Sequence, residues 1–305
     1  MLKRLNIYFK EMYPLIPRLL LGGIVFFEIY FFVIFNQGVT IQRVGEIINY
    51  QEAIGAFTIF AFLMWLRMAD DIKDYELDKR LFKERPLPSG RVTHKDLMIC
   101  CTIVQSIALI LNMAFMNNAA RIAFVVLYVY GYLMSKWFFQ RSKIQPNLPL
   151  ALVTHNPVQM FINMYIISFT CYKYALSPFR LTTIMALFTL YFPALIWEIS
   201  RKIRAPKDEN EYVTYSKLFG YKKATRFVLI LTIADIITNF ILVYNLNKIS
   251  LAVLFALVSW MTWQFVRFMK DPEKFKLVSK VELYTYLQEG TMLLTVAAYM
   301  VFGKI

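Results

Sequence analysis

Charged residues are scarce in this sequence. They make up 18% of its 305 residues, whereas hydrophobic residues make up 58% and the mean hydropathy is positive. A soluble domain carries about 25% charged residues, so the chain has too much apolar surface for that class. We therefore expect lipid to cover most of it.

The sequence also lacks the alternation of apolar and polar residues that membrane β-strands show, so a β-barrel is not expected. Polar breaks instead separate apolar runs of about 20 residues, the length at which an α-helix crosses a hydrocarbon core. We predict an all-α membrane protein with nine transmembrane helices. The predicted spans are 15–35, 51–68, 97–116, 120–139, 150–171, 181–198, 227–244, 249–268 and 283–302.

Acidic residues are fewer than basic ones, 20 against 34, and the basic residues gather in alternate loops. With nine spans, 27 Lys and Arg residues fall on the side of the N-terminus and 6, Arg43 among them, on the other. Positively charged short loops stay in the cytoplasm, so we expect the N-terminus inside. This topology and contact with anionic lipid explain the net charge of +14 better than a nucleic-acid partner, which we do not expect.

Cysteine is rare too, and the three residues Cys100, Cys101 and Cys171 all fall in predicted spans, so no disulfide framework is expected. We expect no cleavable leader before the first span. No linker, repeat or low-complexity segment divides the chain, so we predict a single domain over residues 1–305. The apolar residues of segment 1–13 share one face of a helix, which predicts an interfacial helix on the cytoplasmic surface.

Four aspartates stand where the second predicted span ends: Asp70, Asp71, Asp74 and Asp78. We call them the first acidic motif. If the helix continues through them, they point to one side, where like charges repel. Carboxylate oxygens suit a hard cation such as Mg²⁺, which would remove that repulsion. The alternative is a solvated acidic helix end.

A second charged loop follows the sixth predicted span. Its carboxylates, Glu198, Asp208 and Glu209, form what we call the second acidic motif, and they are interspersed with the basic residues Arg201, Lys202 and Arg204. Arginine and lysine suit phosphate oxygens, so the two loops together match a metal-bridged diphosphate. Cytoplasmic positive charge with local ion pairs is the alternative, and it explains the bases but not the acids.

The first acidic motif and the segment 85–90, Arg-Pro-Leu-Pro-Ser-Gly, resemble the first aspartate-rich motif and the downstream Arg-Pro-x-Pro-Ser-Gly segment of the UbiA superfamily of intramembrane prenyltransferases. The second acidic motif, with the run 214–220, is similar to that family's second motif. The resemblance implies a helical bundle around a central cavity, with both motifs holding Mg²⁺ and a prenyl diphosphate.

The resemblance also implies roles for individual residues. The implied metal ligands are Asp70, Asp71, Asp74, Asp78, Glu198, Asp208 and Glu209, with Asp71, Asp74, Asp78 and Asp208 as the catalytic set. The implied diphosphate-binding residues are Lys83, Arg85, Arg201, Lys202 and Arg204. Two departures stand out: Asp70 occupies a position where the family usually has Asn, and the second motif is more basic than is common.

Polar residues are few inside the spans, and the fifth predicted span has several: His155, Asn156, Gln159 and Asn163. Such side chains usually face a bundle interior or a cavity, so they are candidates to position an acceptor or take its proton. The alternative is interhelical hydrogen bonding near a kink at Pro157. The sequence places further polar residues in other spans, and we expect these to face inward or an interface: Glu28, Asp235, Asn239 and Glu289.

The sequence thus predicts a Mg²⁺-dependent prenyltransferase with a prenyl diphosphate and a lipophilic acceptor as substrates. We expect it in a plasma membrane of the bacterial or archaeal type, in contact with membrane lipid and with its active-site loops cytoplasmic. A UbiA-type terpene cyclase, which needs no acceptor, is the alternative. A transporter is less favoured, because no interrupted-helix pairs occur in corresponding halves.

Overall fold

The computed structural model describes residues 1–39, 48–209 and 213–304, and every regular element in these ranges is helical. This confirms the all-α prediction. Arg43, which entered the charge count, lies outside the described residues.

The described helices follow the apolar runs and are numbered here in chain order. They are α1 (Leu2–Glu11), α2 (Leu15–Asn36), α3 (Tyr50–Lys73), α4 (Tyr75–Leu81), α5 (His94–Phe115), α6 (Asn118–Ser135), α7 (Arg141–Ile144), α8 (Leu148–His155), α9 (Val158–Lys173), α10 (Leu181–Ala186), α11 (Tyr191–Ser200), α12 (Tyr215–Phe219), α13 (Tyr221–Val243), α14 (Lys248–Lys270) and α15 (Val278–Phe302). Short 3₁₀ helices span Trp137–Phe139 and Pro206–Asp208.

Local sequence sets where the long helices begin. Asn49 and Glu52 form a capping box at the start of α3, and Thr93 and Asp96 form another at the start of α5. In each box, two backbone N–H groups that have no partner within the helix donate hydrogen bonds to side-chain oxygens. The two helices that flank the first acidic motif therefore have starting points fixed by their own residues.

Seven of the nine predicted spans coincide with helical segments long and apolar enough to cross a membrane. The predicted span 150–171 is divided into α8 and α9 at Asn156 and Pro157. The predicted span 283–302 lies inside α15, where polar residues such as Gln288 and Glu289 lower the hydropathy. The count of nine and the cytoplasmic N-terminus stay predictions.

The chain divides into two compact units. Unit 1 comprises Met1–Phe27 and Ile41–Ser142, and unit 2 comprises Glu28–Thr40 and Lys143–Ile305. The first acidic motif belongs to unit 1 and the second to unit 2. The single domain over residues 1–305 stays a prediction.

Each unit has its own apolar core. In unit 1, residues of α1, α3 and α5 pack with the loop before α5: Leu5, Tyr8, Tyr13, Phe60, Met64, Met68, Leu87, Val92 and Leu97. In unit 2, α11, α13, α14 and α15 supply the buried residues, among them Ile196, Val228, Phe265 and Tyr284. The predicted helix at the start of the chain is confirmed as α1, and it buries Leu5 and Tyr8 against protein.

Candidate active site

The first acidic motif lies where α3 ends. Asp74 caps α3 with φ −99° and ψ 10°, and α4 begins at the next residue. The expected continuous helix is therefore interrupted, and the aspartates of the motif differ in exposure. The Asp70 side chain is 44% exposed and pairs with Lys73 at 2.8 Å, whereas the Asp71 side chain is 6% exposed.

Asp71 is held from two directions. The Tyr8 hydroxyl donates a hydrogen bond to Asp71 Oδ2 at 2.6 Å, and Arg67 Nη2 lies 2.9 Å from Asp71 Oδ1. Burial, together with the neighbouring Asp71 charge, raises the pKa of Tyr8, so its hydroxyl keeps its proton and acts as the donor. Asp71 therefore has a fixed orientation before any ligand binds.

Asp78 pairs with the loop that follows the motif. Arg85 Nη1 lies 2.7 Å from Asp78 Oδ2, and the Arg85 guanidinium also stacks over the Phe82 ring at 3.9 Å. The loop closes on itself through a hydrogen bond from Val92 N–H to Pro86 O at 3.0 Å. Gly90 adopts φ +77°, a conformation that favours glycine, which explains the glycine of the Arg-Pro-x-Pro-Ser-Gly segment.

The motif and this loop line one narrow, tightly closed cavity. Its walls are Tyr8, Met12, Asp71, Asp78, Arg85, Pro86, Leu87 and Pro88. The structure therefore brings together the two segments that carry the family resemblance. Lys83 is exposed in the turn after α4 and does not line this cavity.

Asp74 is partly buried beside the same helix end. Burial raises the pKa of Asp74, and the Lys73 and Arg141 cations partly offset that rise. Asp74 is thus a partly buried carboxyl group with two cations near it, and its role as a metal ligand stays a prediction.

The donor set of the first motif suits Mg²⁺, because its oxygens are all carboxylate oxygens. Within the described ranges, no three His, Cys, Asp or Glu side chains lie close enough to hold a metal ion by themselves. Mg²⁺ commonly takes only one or two protein carboxylates and completes its shell with water and phosphate oxygens. Asp71 and Asp78, which line the same cavity, fit that requirement.

The second acidic motif consists of local contacts. Glu198 pairs with Arg201 at 2.6 Å and with Lys202 at 2.8 Å, all within one turn of chain. Asp208 is exposed at the end of a 3₁₀ helix, and the Arg204 guanidinium lies 3.5 Å from its backbone oxygen. Local ion pairs of this kind agree with the alternative interpretation of this loop, which was cytoplasmic positive charge with local ion pairs.

Glu209 has a role that the sequence did not suggest. Its carboxylate accepts a hydrogen bond from the Thr214 hydroxyl at 2.7 Å and another from Ser216. Ser216 Oγ in turn accepts from the Arg204 backbone N–H at 2.8 Å. Glu209 therefore ties the start of α12 to the loop that carries the motif.

An open cavity of about 590 Å³ adjoins the second motif inside unit 2. Arg204 and Asp208 line it, together with Lys207, Glu273 and Lys276 from the same loop and from the connection between α14 and α15. Lys207 pairs with Glu273 at 2.7 Å. Of the predicted second-motif residues, Arg204 and Asp208 are thus the two that this cavity brings together.

The polar residues of the fifth predicted span make hydrogen bonds within unit 2. The Asn163 amide donates to Leu187 O at 2.9 Å and to Thr189 O at 2.6 Å, at the break between α10 and α11. Gln159 donates to Asn163 at 3.0 Å. For Gln159 and Asn163 this geometry favours the alternative of interhelical hydrogen bonding, because the break leaves carbonyl groups that need donors.

His155 and Asn156 lie at the end of α8. His155 Nδ1 is 3.0 Å from the Thr154 hydroxyl and 3.1 Å from Ala151 O, so this ring nitrogen is engaged by its own helix. An acceptor-binding role for either residue stays a prediction.

The acidic residues of the other spans are inside unit 2. Glu28, Asp235 and Asn239 are each 2% exposed or less, which confirms that they face the protein interior. Asn239 donates to Asp235 Oδ1 at 3.2 Å, and the carboxyl groups of Glu28 and Glu289 face each other. The sequence missed both this grouping and the role of Tyr8, which follows Leu5 by three residues on the buried face of α1.

Comparison with known proteins bears on the family and the fold of the chain. The sequence profile of the UbiA prenyltransferase family matches residues 45–285. Among solved structures, a digeranylgeranylglyceryl phosphate synthase aligns with a TM-score of 0.67 and 17% identity, over 98% of this chain and 100% of that one. A UbiA homologue from Archaeoglobus fulgidus, bound to DMAPP and Mg²⁺, aligns with a TM-score of 0.55 and 12% identity, over 92% of this chain and 97% of that one. No curated protein matches the sequence.

Proposed function

The chain belongs to the UbiA prenyltransferase family, and we propose that it ionises an allylic polyprenyl diphosphate with Mg²⁺ and transfers the prenyl group to an aromatic or other lipophilic acceptor. The chain is an integral membrane protein with several helices apolar enough to span a bilayer. Its reaction therefore takes place where both lipophilic substrates dissolve.

One observation carries the proposal: Asp71, Asp78 and Arg85 line the same cavity. A metal-bridged diphosphate needs oxygen ligands for the metal and charged donors for the phosphate oxygens, and these side chains supply both. The Archaeoglobus fulgidus homologue is bound to DMAPP and Mg²⁺, which supports the same pair of ligands here.

We assign the chemistry of the site as follows. Asp71, Asp74, Asp78 and Asp208 are the catalytic carboxylates, and the metal-ligand candidates are these four with Asp70, Glu198 and Glu209. Mg²⁺ held by carboxylates of this set supplies the positive charge that favours departure of the diphosphate. The candidate residues for binding diphosphate oxygens are Lys83, Arg85, Arg201, Lys202 and Arg204.

The hydrocarbon chain of the donor has a candidate binding groove in unit 1, which we call the tail groove. It has a volume of about 590 Å³ and runs between α5 and α6 beside Trp65. Its lining residues are Trp65, Cys101, Thr102, Gln105, Ser106, Leu109, Phe124, Val125, Tyr128, Val129 and Tyr132. Trp65 precedes Asp70 by five residues on α3, about 8 Å along the helix axis, so a diphosphate bound at the first motif can extend its tail into this groove.

The acceptor captures the allylic cation, and the new bond releases a proton. His155 is the candidate to take that proton, and Asn156, Gln159 and Asn163 are the candidates to position the acceptor. We place the two motifs on the cytoplasmic side of a bacterial or archaeal-type plasma membrane, because the loops that carry them are rich in basic residues.

The test is a product assay on the purified full-length chain in detergent with Mg²⁺. DMAPP, geranyl, farnesyl and geranylgeranyl diphosphates are offered with and without a lipid extract, and diphosphate release and products are measured. A prenylated lipid supports the proposal. Cyclic hydrocarbons or alcohols without an acceptor would instead identify a terpene cyclase, and substrate flux without diphosphate release would identify a transporter.

A further inference from the structure

Helix α1 reaches the first acidic motif through one side chain. Tyr8 is 0% exposed, and its hydroxyl donates to Asp71 Oδ2 at 2.6 Å while Arg67 occupies the other Asp71 oxygen. Tyr8 also lines the cavity that Asp71, Asp78 and Arg85 share. The hydroxyl is therefore part of the wall of the site, although 63 residues separate it from Asp71.

Two arginine–carboxylate pairs anchor α1 on either side of Tyr8. Near its start, Arg4 binds Asp96 through two hydrogen bonds of 2.6 and 2.8 Å. At its end, Glu11 binds Arg91 through two of 2.5 and 2.9 Å. Bidentate pairs of this kind fix orientation as well as distance.

The second anchor also reaches the loop that carries Arg85. Arg91 donates to Glu84 O at 2.5 Å and to Ser89 Oγ at 3.1 Å, so one side chain connects α1 to both ends of the Arg-Pro-x-Pro-Ser-Gly segment. The place of α1 and the shape of this loop are therefore coupled through Arg91.

We propose that Tyr8 is a positioning residue for Asp71 and that α1, held by Arg4 and Glu11, is a structural part of the metal–diphosphate site. The proposal rests on the proposed function and extends it to the first ten residues of the chain. Tyr8 touches neither metal nor substrate in this role. It acts by holding one carboxylate oxygen so that the remaining lone pairs of Asp71 face the cavity.

Partners of metal-ligating carboxylates usually matter for metal affinity. Loss of such a partner typically lowers metal affinity or activity by about 10–100-fold. A tyrosine that merely fills space would show no such effect when only its hydroxyl is removed. The distinction can be measured, because Tyr8→Phe keeps the ring in the apolar core and removes one oxygen.

The experiment compares Tyr8→Phe with Tyr13→Phe in the full-length chain. Tyr13 is a matched control because it is 4% exposed in the same core, and its hydroxyl makes only a 3.4 Å contact with Phe60 O. Stabilisation of the purified protein against thermal unfolding is titrated with Mg²⁺ in the presence of inorganic pyrophosphate. We expect the half-saturating Mg²⁺ concentration to rise about tenfold or more in Tyr8→Phe and to stay near the wild-type value in Tyr13→Phe.

Turnover supplies a second readout. At saturating Mg²⁺, Tyr8→Phe is expected to recover most of the wild-type rate, since the carboxylate itself remains. Equal Mg²⁺ midpoints in the two variants and the wild type would overturn the proposal. Glu11→Gln, which changes no core residue, is expected to shift the midpoint in the same direction by a smaller factor, and it replaces Tyr8→Phe should that variant unfold.

Asp71→Asn separates this proposal from the proposed function. If Asp71→Asn abolishes the Mg²⁺ response while Tyr8→Phe leaves it unchanged, the site is right and the role of Tyr8 is wrong. If the wild type shows neither a Mg²⁺ response nor turnover of any prenyl diphosphate, the proposed function itself fails.

Discussion

One carboxylate of the first acidic motif is held by a distant part of the sequence, whereas the side-chain partners described for the second motif lie within 7 residues of their carboxylates. Asp71 binds Tyr8 from α1, and Asp78 binds Arg85 from the following loop. Glu198 binds Arg201 and Lys202 in the next turn of its own segment. The buried contacts of unit 1 create a site with fixed carboxylates, while the exposed pairs of unit 2 are exchangeable and leave the second motif adaptable to its ligand.

The largest expected effect is the loss of a buried carboxylate of the first motif. Asp71→Ala or Asp74→Ala should lower turnover by at least about 100-fold, the order found when one preorganised charge-stabilising group is removed from an active site. Circular dichroism and thermal unfolding would show whether the fold is kept. Glu76→Gln is the matched control, since Glu76 is an exposed acidic residue of α4 that is not among the candidate ligands. Full activity in both alanine variants would remove the first motif from the mechanism.

A smaller effect is expected from filling the tail groove. Ser106→Trp places a large side chain among its lining residues, so the KM for long prenyl diphosphates should rise by about tenfold, the size of effect that 1.4 kcal/mol of lost apolar contact gives. DMAPP, which has the shortest tail, should be affected least. Ile110→Trp is the control, because Ile110 is 63% exposed on the same helix and does not line the groove. An unchanged chain-length profile would show that the tail lies elsewhere.

Loss of the buried Asn163 amide in unit 2 should lower the stability of the protein and leave its turnover largely unchanged. Asn163→Ala leaves the carbonyl groups of Leu187 and Thr189 without their donor, which should lower the free energy of unfolding by about 1–3 kcal/mol. Thermal unfolding in detergent measures this. A loss of acceptor affinity with unchanged stability would instead give Asn163 the substrate-positioning role that its sequence position suggested.

The smallest effect is expected at the second motif. Glu198→Gln breaks two partly exposed ion pairs, each worth about 0.2–1 kcal/mol, and we expect turnover to fall less than tenfold. The measurement is a steady-state assay at several Mg²⁺ concentrations. If turnover falls as far in Glu198→Gln as in Asp71→Ala, the two motifs do not differ in importance and Glu198 is an essential metal ligand.

The outcome at particular residues shows how far a sequence can predict such a site. The aspartates, the loop with Arg85 and the family were all visible as residue types at fixed spacings. The helix break at Asp74 was not, because nothing in the local pattern prevents an uninterrupted helix there. The hydrogen bonds that Asn163 donates and that Glu209 accepts were not visible either, since a polar residue looks the same in sequence whether it binds a ligand or a neighbouring group of the protein.

The sequence by itself determined the apolar helices, the helix starts at Asn49 and Thr93, and which residues could hold a diphosphate, because each depends on neighbours a few positions apart. Only the tertiary structure decided that Tyr8 would hold Asp71 and that Arg85 would turn toward Asp78. Those contacts depend on how α1, α3 and the loop before α5 pack together. Packing depends on many weak apolar contacts between residues that are far apart in the sequence, so no short stretch of sequence determines it.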